Sequence, residues 1–157
     1  MSLPENIEII NYQDRFKQNL YDLTVEWLET YLYLEDEDYL FLNDPEDTVT
    51  EKGGFIFFAK AGNELVGTVS LIRKSEKVFE LAKLAVTEKA KGKGIGSLLM
   101  DTCVETAKEN GIETIVLYTN HILIPAIKLY EKYGFHTAVA KENKYLEGDV
   151  YMELSLI

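Results

Sequence analysis

Three glycines alternate with other residues in the middle of the chain, where residues 91–96 read Lys-Gly-Lys-Gly-Ile-Gly. An apolar run typical of a strand precedes this segment, and apolar residues at helical spacing follow it. Glycines at such a junction allow successive backbone N–H groups to turn towards one point beside the positive end of the helix dipole. Lys89, Lys91 and Lys93 add positive charge there. The segment therefore predicts an anion site, most often a phosphate site.

The glycine segment differs from two better-known phosphate-binding motifs. A dinucleotide-binding fingerprint requires glycine at the position of Ser97, and a P-loop requires Gly-Lys-Ser or Gly-Lys-Thr. The alternative interpretation is a tight turn that binds no ligand. The clustered lysines argue against that alternative.

The elements that position this segment follow from the apolar pattern. Strands are predicted at residues 7–10, 55–59, 65–72, 78–86, 114–119, 135–141 and 150–156. Helices are predicted at residues 14–31, 95–109 and 124–133, with a short helix and loops over residues 36–51. The strand–helix–strand unit over residues 78–119 implies a parallel strand pair. The predicted order βααβββαβαββ describes an α/β fold in which helices cover both faces of a mixed sheet.

Length and composition predict one domain over residues 1–157, with 46% apolar and 27% charged residues. No apolar run is long enough to span a membrane, and the N-terminus lacks the pattern of a signal peptide. Cys103 is the only cysteine, which excludes an intramolecular disulfide and a CxxC metal site. We therefore expect a cytoplasmic protein without a metal ion or a membrane partner.

Negative charge is concentrated in the first third of the chain. The net charge is −11, and residues 1–51 hold fourteen acids against Arg15 and Lys17. This balance argues against nucleic acid as a partner. The acidic peak at residues 35–38 is either a solvated face or a field that attracts a cationic ligand.

Several motifs together resemble the acyl-CoA N-acyltransferases of the GNAT superfamily, whose activity is N-acetyl transfer. They are Leu84-Ala85-Val86, the glycine segment, Asn120, and residues 126–135 (Ala-Ile-Lys-Leu-Tyr-Glu-Lys-Tyr-Gly-Phe). The resemblance rests on the order of these motifs and on their separations over residues 78–136. The family has Arg or Gln at the position of Lys91. A lysine there supplies a positive charge, but it cannot donate the two parallel hydrogen bonds that an arginine can.

The resemblance implies acetyl-CoA as the cofactor and a sheet that splays between residues 84–86 and residues 114–119. The pantetheine arm would lie in that gap, paired with backbone groups of Leu84 and Val86. The residues implied to contact the cofactor are Leu84, Ala85, Val86, Lys91, Gly92, Lys93, Gly94, Ile95, Gly96, Ser97, Asn120, Ala126 and Tyr130. For Asn120, a simple turn role is the alternative.

Two residues are expected to carry the chemistry. Tyr130 matches the tyrosine with which the family protonates the departing thiolate, and core packing is its alternative role. Glu80 resembles the position of a catalytic glutamate in the histone-acetyltransferase branch. It shares strand parity with Leu84 and Val86 if no bulge intervenes. Deprotonation of the amine through a water chain is the alternative to Glu80.

The resemblance also places the acceptor beside the first two helices and the final hairpin. Because those helices are acidic, we expect a cationic primary amine: a polyamine, an aminoglycoside-like molecule, or a lysine side chain or N-terminus of a peptide. The residues predicted to hold it are Glu35, Asp36, Glu37 and Asp38. Rival functions are a non-catalytic domain that binds acyl-CoA as a regulatory ligand, and an interaction module with an empty glycine turn. A homodimer is left open, as is the length of the acyl group.

Overall fold

A computed structural model describes residues 6–140 and 148–157 of the chain. The strands in those residues are β1 (Ile7–Asn11), β2 (Phe55–Ala61), β3 (Glu64–Arg73), β4 (Val78–Val86), β5 (Thr114–Thr119), β6 (His136–Ala138) and β7 (Val150–Ser155). The helices are α1 (Lys17–Tyr31), α2 (Asp36–Asn43), α3 (Pro45–Thr48), α4 (Ile95–Glu109) and α5 (Ile124–Lys132). Single 3-10 turns cover Asp14–Phe16, Thr50–Lys52 and Glu88–Ala90.

The strands form one mixed sheet in the order β1-β2-β3-β4-β5-β7-β6. Among the described strands, only β4 and β5 run parallel. Helices α4 and α5 cover one face through residues that include Leu99 and Tyr130, and α1 and α2 cover the other through Leu20 and its neighbours. Strand β2 is buried on both faces, with Phe57 in the first cluster and Phe58 in the second. Its sequence is therefore continuously apolar instead of alternating.

The predicted α/β class and the order βααβββαβαββ are confirmed. One short helix, α3, is additional. It begins because Pro45 has a helical φ and the Asp44 carboxylate accepts a hydrogen bond from Asp47 N–H at 3.2 Å. The strand predicted at residues 135–141 spans His136–Ala138 among the described residues, and residue 141 lies outside them.

Strand β4 contains a bulge that reverses its alternation. Ser70 of β3 faces Ala82 and Thr68 faces Ala85, so β4 holds one extra residue between those positions. Lys83 lies at the bulge with φ of +58°, a left-handed conformation. After it, Leu84 and Val86 contact the same core cluster as Phe79 and Leu81. The parity that Glu80 would share with Leu84 and Val86 in a regular strand is therefore absent.

The same strand leaves its parallel neighbour early. Pairing between β4 and β5 covers Val78–Thr114, Phe79–Ile115 and Glu80–Val116. Beyond Glu80, β5 continues to pair with β7 as far as Thr119 and Val150. The sheet is therefore splayed between the second half of β4 and the second half of β5.

Candidate active site

The loop before α4 ends in a left-handed glycine. Gly94 has a φ of +78° and immediately precedes the first residue of α4. Other residue types lose roughly 1–2 kcal/mol in this conformation. The first-turn N–H groups of Ile95, Gly96 and Ser97 have no acceptor within the helix. Together they form a donor set at the positive end of a 15-residue helix, which suits an anion.

Two of the three loop lysines are paired with carboxylates. Lys89 forms an ion pair with Glu64. Lys91 Nζ lies 3.3 Å from Glu88 Oε1 and donates a hydrogen bond to the Tyr31 hydroxyl. The lysine charge at this turn is thus partly compensated by acids of the same chain. An anion at this turn would meet the first-turn backbone amides of α4 beside lysines already engaged with acids of the chain.

A cleft opens where β4 and β5 separate. With the open solvent at its mouth included, the cleft has a volume of about 750 Å³, and it is lined by residues of α1, the α1–α2 connection, α2, β4, β5 and α5. The predicted cofactor residues Leu84 and Ala85 line it, as do the predicted catalytic residues Glu80 and Tyr130. Both predicted catalytic side chains therefore reach one cavity, although they come from separate elements.

Tyr130 of α5 is buried between the cleft and the core. It is 8% exposed, and its ring packs edge-on against Phe135 with centroids 5.9 Å apart. Burial, with a smaller contribution from Cys103, raises the pKa of the Tyr130 phenol above its ordinary value of 10. The hydroxyl is therefore protonated at neutral pH, as a proton donor must be.

Glu80 lies at the floor of the cleft, at the last position of β4 that pairs with β5. Its side chain is 1% exposed, and Oε1 lies 3.6 Å from Nζ of Lys74, which is itself 39% exposed. A carboxylate at this position lies within the cleft lining, where it can accept a proton from a ligand bound there. The geometry suits a general base.

The four acids predicted to hold the amine do not act as one group. Glu35 and Asp38 line the cleft, whereas Asp36 and Glu37 are not part of its lining. Asp38 is 3% exposed, accepts a hydrogen bond from Glu35 N–H at 2.8 Å and forms an ion pair with Lys83. It thus caps α2 and ties that helix to the bulge of β4. Glu35 lines the cleft and belongs to the same capping box at the start of α2.

Two further predicted contacts lie on the β5–α5 side. The Asn120 carboxamide oxygen accepts a hydrogen bond from Ile122 N–H at 3.0 Å, so this side chain shapes the turn before α5. Ala126 packs, partly buried, against the core cluster of α4. Contact of either residue with a cofactor stays a prediction.

Sequence reasoning missed several residues of the cleft. The rings of Trp27, Tyr33 and Tyr118 line it. Their helical or strand spacing did not distinguish a cleft face from a core face. Lys83, a side chain of the cleft floor, was also missed, since its position depends on the bulge.

Neither a metal cluster nor a membrane-spanning helix occurs in residues 6–140 and 148–157. The single cysteine, Cys103, is fully buried in the core, and burial raises the pKa of its thiol. His121 lies on the surface, where its backbone N–H donates to Asp149 Oδ1 at 2.9 Å. Neither Cys103 nor His121 is among the residues that line the cleft.

Comparisons with known proteins agree with this geometry. A family model described as the acetyltransferase (GNAT) family matches residues 17–135. The uncharacterized N-acetyltransferase YvbK of Bacillus subtilis is 31% identical over 112 residues, which cover 69% of this chain and 72% of that protein. Rat N-acetyltransferase 8B is 32% identical over 92 residues, covering 55% of this chain and 41% of that protein.

Solved structures share the whole fold. An acetyltransferase of the GNAT family from Staphylococcus aureus Mu50 superposes with a TM-score of 0.87 at 24% identity, covering 96% of this chain and 99% of that one. A Bacillus subtilis acetyltransferase, solved in complex with CoA, has a TM-score of 0.73 at 25% identity and covers 97% and 100% of the two chains. With the family match over residues 17–135, these likenesses establish that the chain belongs to the acetyltransferase (GNAT) family.

Proposed function

We propose that this protein is an N-acetyltransferase that uses acetyl-CoA to acetylate a cationic primary amine by direct attack in a ternary complex. One observation carries the proposal: the sheet separates after Glu80 and Val116, and both Glu80 and Tyr130 line the cleft that results. A carboxylate able to accept a proton and a phenol able to donate one thus share a single cavity.

The residues present suit coenzyme A. The amides of Ile95, Gly96 and Ser97 would hold its pyrophosphate, because helix-opening N–H groups bind phosphate oxygens. The half of β4 that β5 leaves unpaired offers backbone groups of Leu84 and Val86 to the pantetheine amides. A backbone N–H there that faces the thioester carbonyl is worth roughly 2.7–4 kcal/mol in acyl transfer.

Acetyl-CoA, when bound, supplies a thioester whose acetyl group can pass to an amine nitrogen. Glu80 accepts, directly or through water, the proton that the ammonium group loses before its nitrogen attacks, and later releases this proton to solvent. As the carbon–nitrogen bond forms and the carbon–sulfur bond breaks, Tyr130 gives its phenolic proton to the sulfur. The second proton that the nitrogen loses returns to the phenol through solvent, so the products are a neutral amide, a free thiol and one proton released to solvent.

The acceptor side of the cleft suits an alkylammonium group. Glu35 contributes negative charge, and Trp27, Tyr33 and Tyr118 contribute aromatic rings. Carboxylates and ring faces both attract cations, and aliphatic carbons pack well on aromatic surface. Polyamines and lysine side chains share this combination of a cation and an aliphatic chain.

Release of free thiol from acetyl-CoA, measured against a panel of amines, tests the proposal. We expect turnover with spermidine or a lysine amide that exceeds turnover with an arylamine that is neutral at pH 7. Binding of acetyl-CoA without thiol release for any amine would favour the regulatory acyl-CoA-binding domain instead. A cytoplasmic location and a homodimer stay predictions.

A further inference from the structure

Lys91, at the position where the family has Arg or Gln, is bound to α1. Its Nζ donates to the Tyr31 hydroxyl, lies 4.0 Å from the centroid of the Tyr31 ring and lies 3.3 Å from Glu88 Oε1. The Tyr31 hydroxyl in turn donates to Glu88 Oε1 at 2.7 Å. The hydrogen bond from Tyr31 is the largest cause of a lowered pKa of the Glu88 carboxyl, so the carboxylate form is favoured there.

A second set of contacts joins α1 to the same short turn. Both carboxylate oxygens of Glu26 accept the Thr87 hydroxyl at 3.0 Å, and Oε2 also accepts Glu88 N–H at 3.1 Å. Glu26 and Tyr31 are five residues apart on α1. They hold Thr87 and Glu88, which precede the glycine loop, and Lys91, its first residue. The last turns of α1 are thus attached at two points to the segment that leads into α4.

Between these two attachment points lies a residue of the cleft. Trp27 lines the acceptor side, and its ring lies 5.4 Å from the ring of Tyr31. Leu28, the next residue, lines the cleft as well. A shift of the end of α1 would therefore move two side chains of the acceptor wall.

We infer that Lys91 is a positioning residue for the acceptor wall and contributes little to phosphate binding, an inference that rests on the proposed function of this cleft. Its ammonium already has a carboxylate, a hydroxyl and a ring face as partners, all within the chain. An ammonium so engaged would have to leave Glu88 and Tyr31 to reach a phosphate, whereas the α4 amides need no such rearrangement. Lys91 thus fixes α1, and through it Trp27, against the loop that holds the cofactor.

The chain carries its own reporter for this inference, because Trp27 is its single tryptophan. We would compare Lys91→Met and Tyr31→Phe with the wild type in three measurements: CoA binding by calorimetry, Trp27 emission, and the KM for spermidine. Both variants are expected to shift Trp27 emission and to raise the spermidine KM about fivefold or more. The dissociation constant of CoA should stay within about twofold.

Two further variants separate charge from position. Lys91→Arg retains the cation and its contact with a tyrosine ring, so it should restore Trp27 emission. Lys89→Met removes an equal charge beside the same loop, but Lys89 pairs with Glu64 and not with α1. That variant should therefore leave Trp27 emission as in the wild type.

A Lys91→Met variant that weakens CoA binding by about tenfold or more would overturn the inference and make Lys91 a phosphate ligand. Unchanged Trp27 emission in both Lys91→Met and Tyr31→Phe would overturn it as well. If no amine in the panel is acetylated, the proposed function fails. CoA binding and Trp27 emission would still decide the role of Lys91.

Discussion

Glu80 of β4 faces Val116 of β5 at the last position where these parallel strands are paired. Three residues further along, Lys83 has a left-handed backbone at the β4 bulge. The splay places Glu80 at the floor of the cleft, while the bulge turns Leu84 towards the core of α4 and α5. One strand thus presents the proposed base on one side of the irregularity and the proposed cofactor contacts on the other.

Replacement of Tyr130 by phenylalanine should lower kcat by about 100-fold, since general acid catalysis typically contributes at least that much. Binding of CoA, measured by calorimetry, should be retained because the ring is kept. The raised pKa of Tyr130 keeps its phenol protonated throughout the neutral range, so no alkaline loss of activity below pH 10 should arise from this residue.

A matched control for that variant is Tyr12→Phe. The Tyr12 hydroxyl donates to Glu46 Oε1 at 2.5 Å, and neither residue is among those that line the cleft. This variant removes the same atom and should retain kcat. Equal kcat for Tyr130→Phe and the wild type would assign Tyr130 to core packing.

Glu80→Gln should lower kcat/KM for an alkylamine by about 100-fold at pH 7. As the pH rises towards the pKa of an alkylammonium group, near 10.4, more amine is already neutral and needs no base. The ratio of wild-type to variant kcat/KM should therefore fall with rising pH. A pH–rate series in which the ratio stays constant would instead favour deprotonation through water.

Gly94→Ala should weaken CoA binding by about tenfold, because alanine disfavours the left-handed backbone that aims the α4 amides. Gly62→Ala is the control, since Gly62 has a similar φ of +63°, has open space around it and lies in the β2–β3 turn. Both variants should lose roughly 1–2 kcal/mol of unfolding free energy in a denaturant titration. Similar CoA affinities for the two variants would contradict a cofactor role for the loop.

Glu35→Gln should raise the KM for spermidine several-fold at low salt, given the roughly 0.2–1 kcal/mol typical of exposed charge pairs. The effect should fade near 1 M salt, where the screening length is about 3 Å. Glu29→Gln makes the same charge change at an exposed position of α1 outside the cleft lining. If both variants change the KM equally, overall charge and not a specific contact attracts the amine.

Much of the fold could be predicted because its signals are local. The apolar periodicity identified α1 and α4, and the helix predicted at residues 95–109 has those bounds in the structure. The left-handed Gly94 at the start of α4 agrees with the glycine loop expected there. Few neighbouring residues decide whether a position needs glycine and where a helix begins. Both features can therefore be predicted from the sequence.

The details of the site depend on contacts between distant residues. Lys91 and Tyr31 are 60 residues apart, and the sequence around each residue does not predict that the two side chains pair. The bulge at Lys83 reverses the strand parity without a glycine to mark it. Asp38, expected to hold the amine, is engaged by Lys83 across 45 residues. Such partners follow from the folded register and not from local sequence.

In the proposed function, the amides that open α4 hold the diphosphate of coenzyme A and so direct its thiol end into the cleft beside Tyr130. A titration of the isotope-labelled protein with CoA, followed by amide NMR, tests this most directly. We predict the largest shifts at the N–H groups of Ile95, Gly96 and Ser97, with further shifts at Leu84 and Val86. Saturable CoA binding that leaves those five amides unmoved would contradict the account.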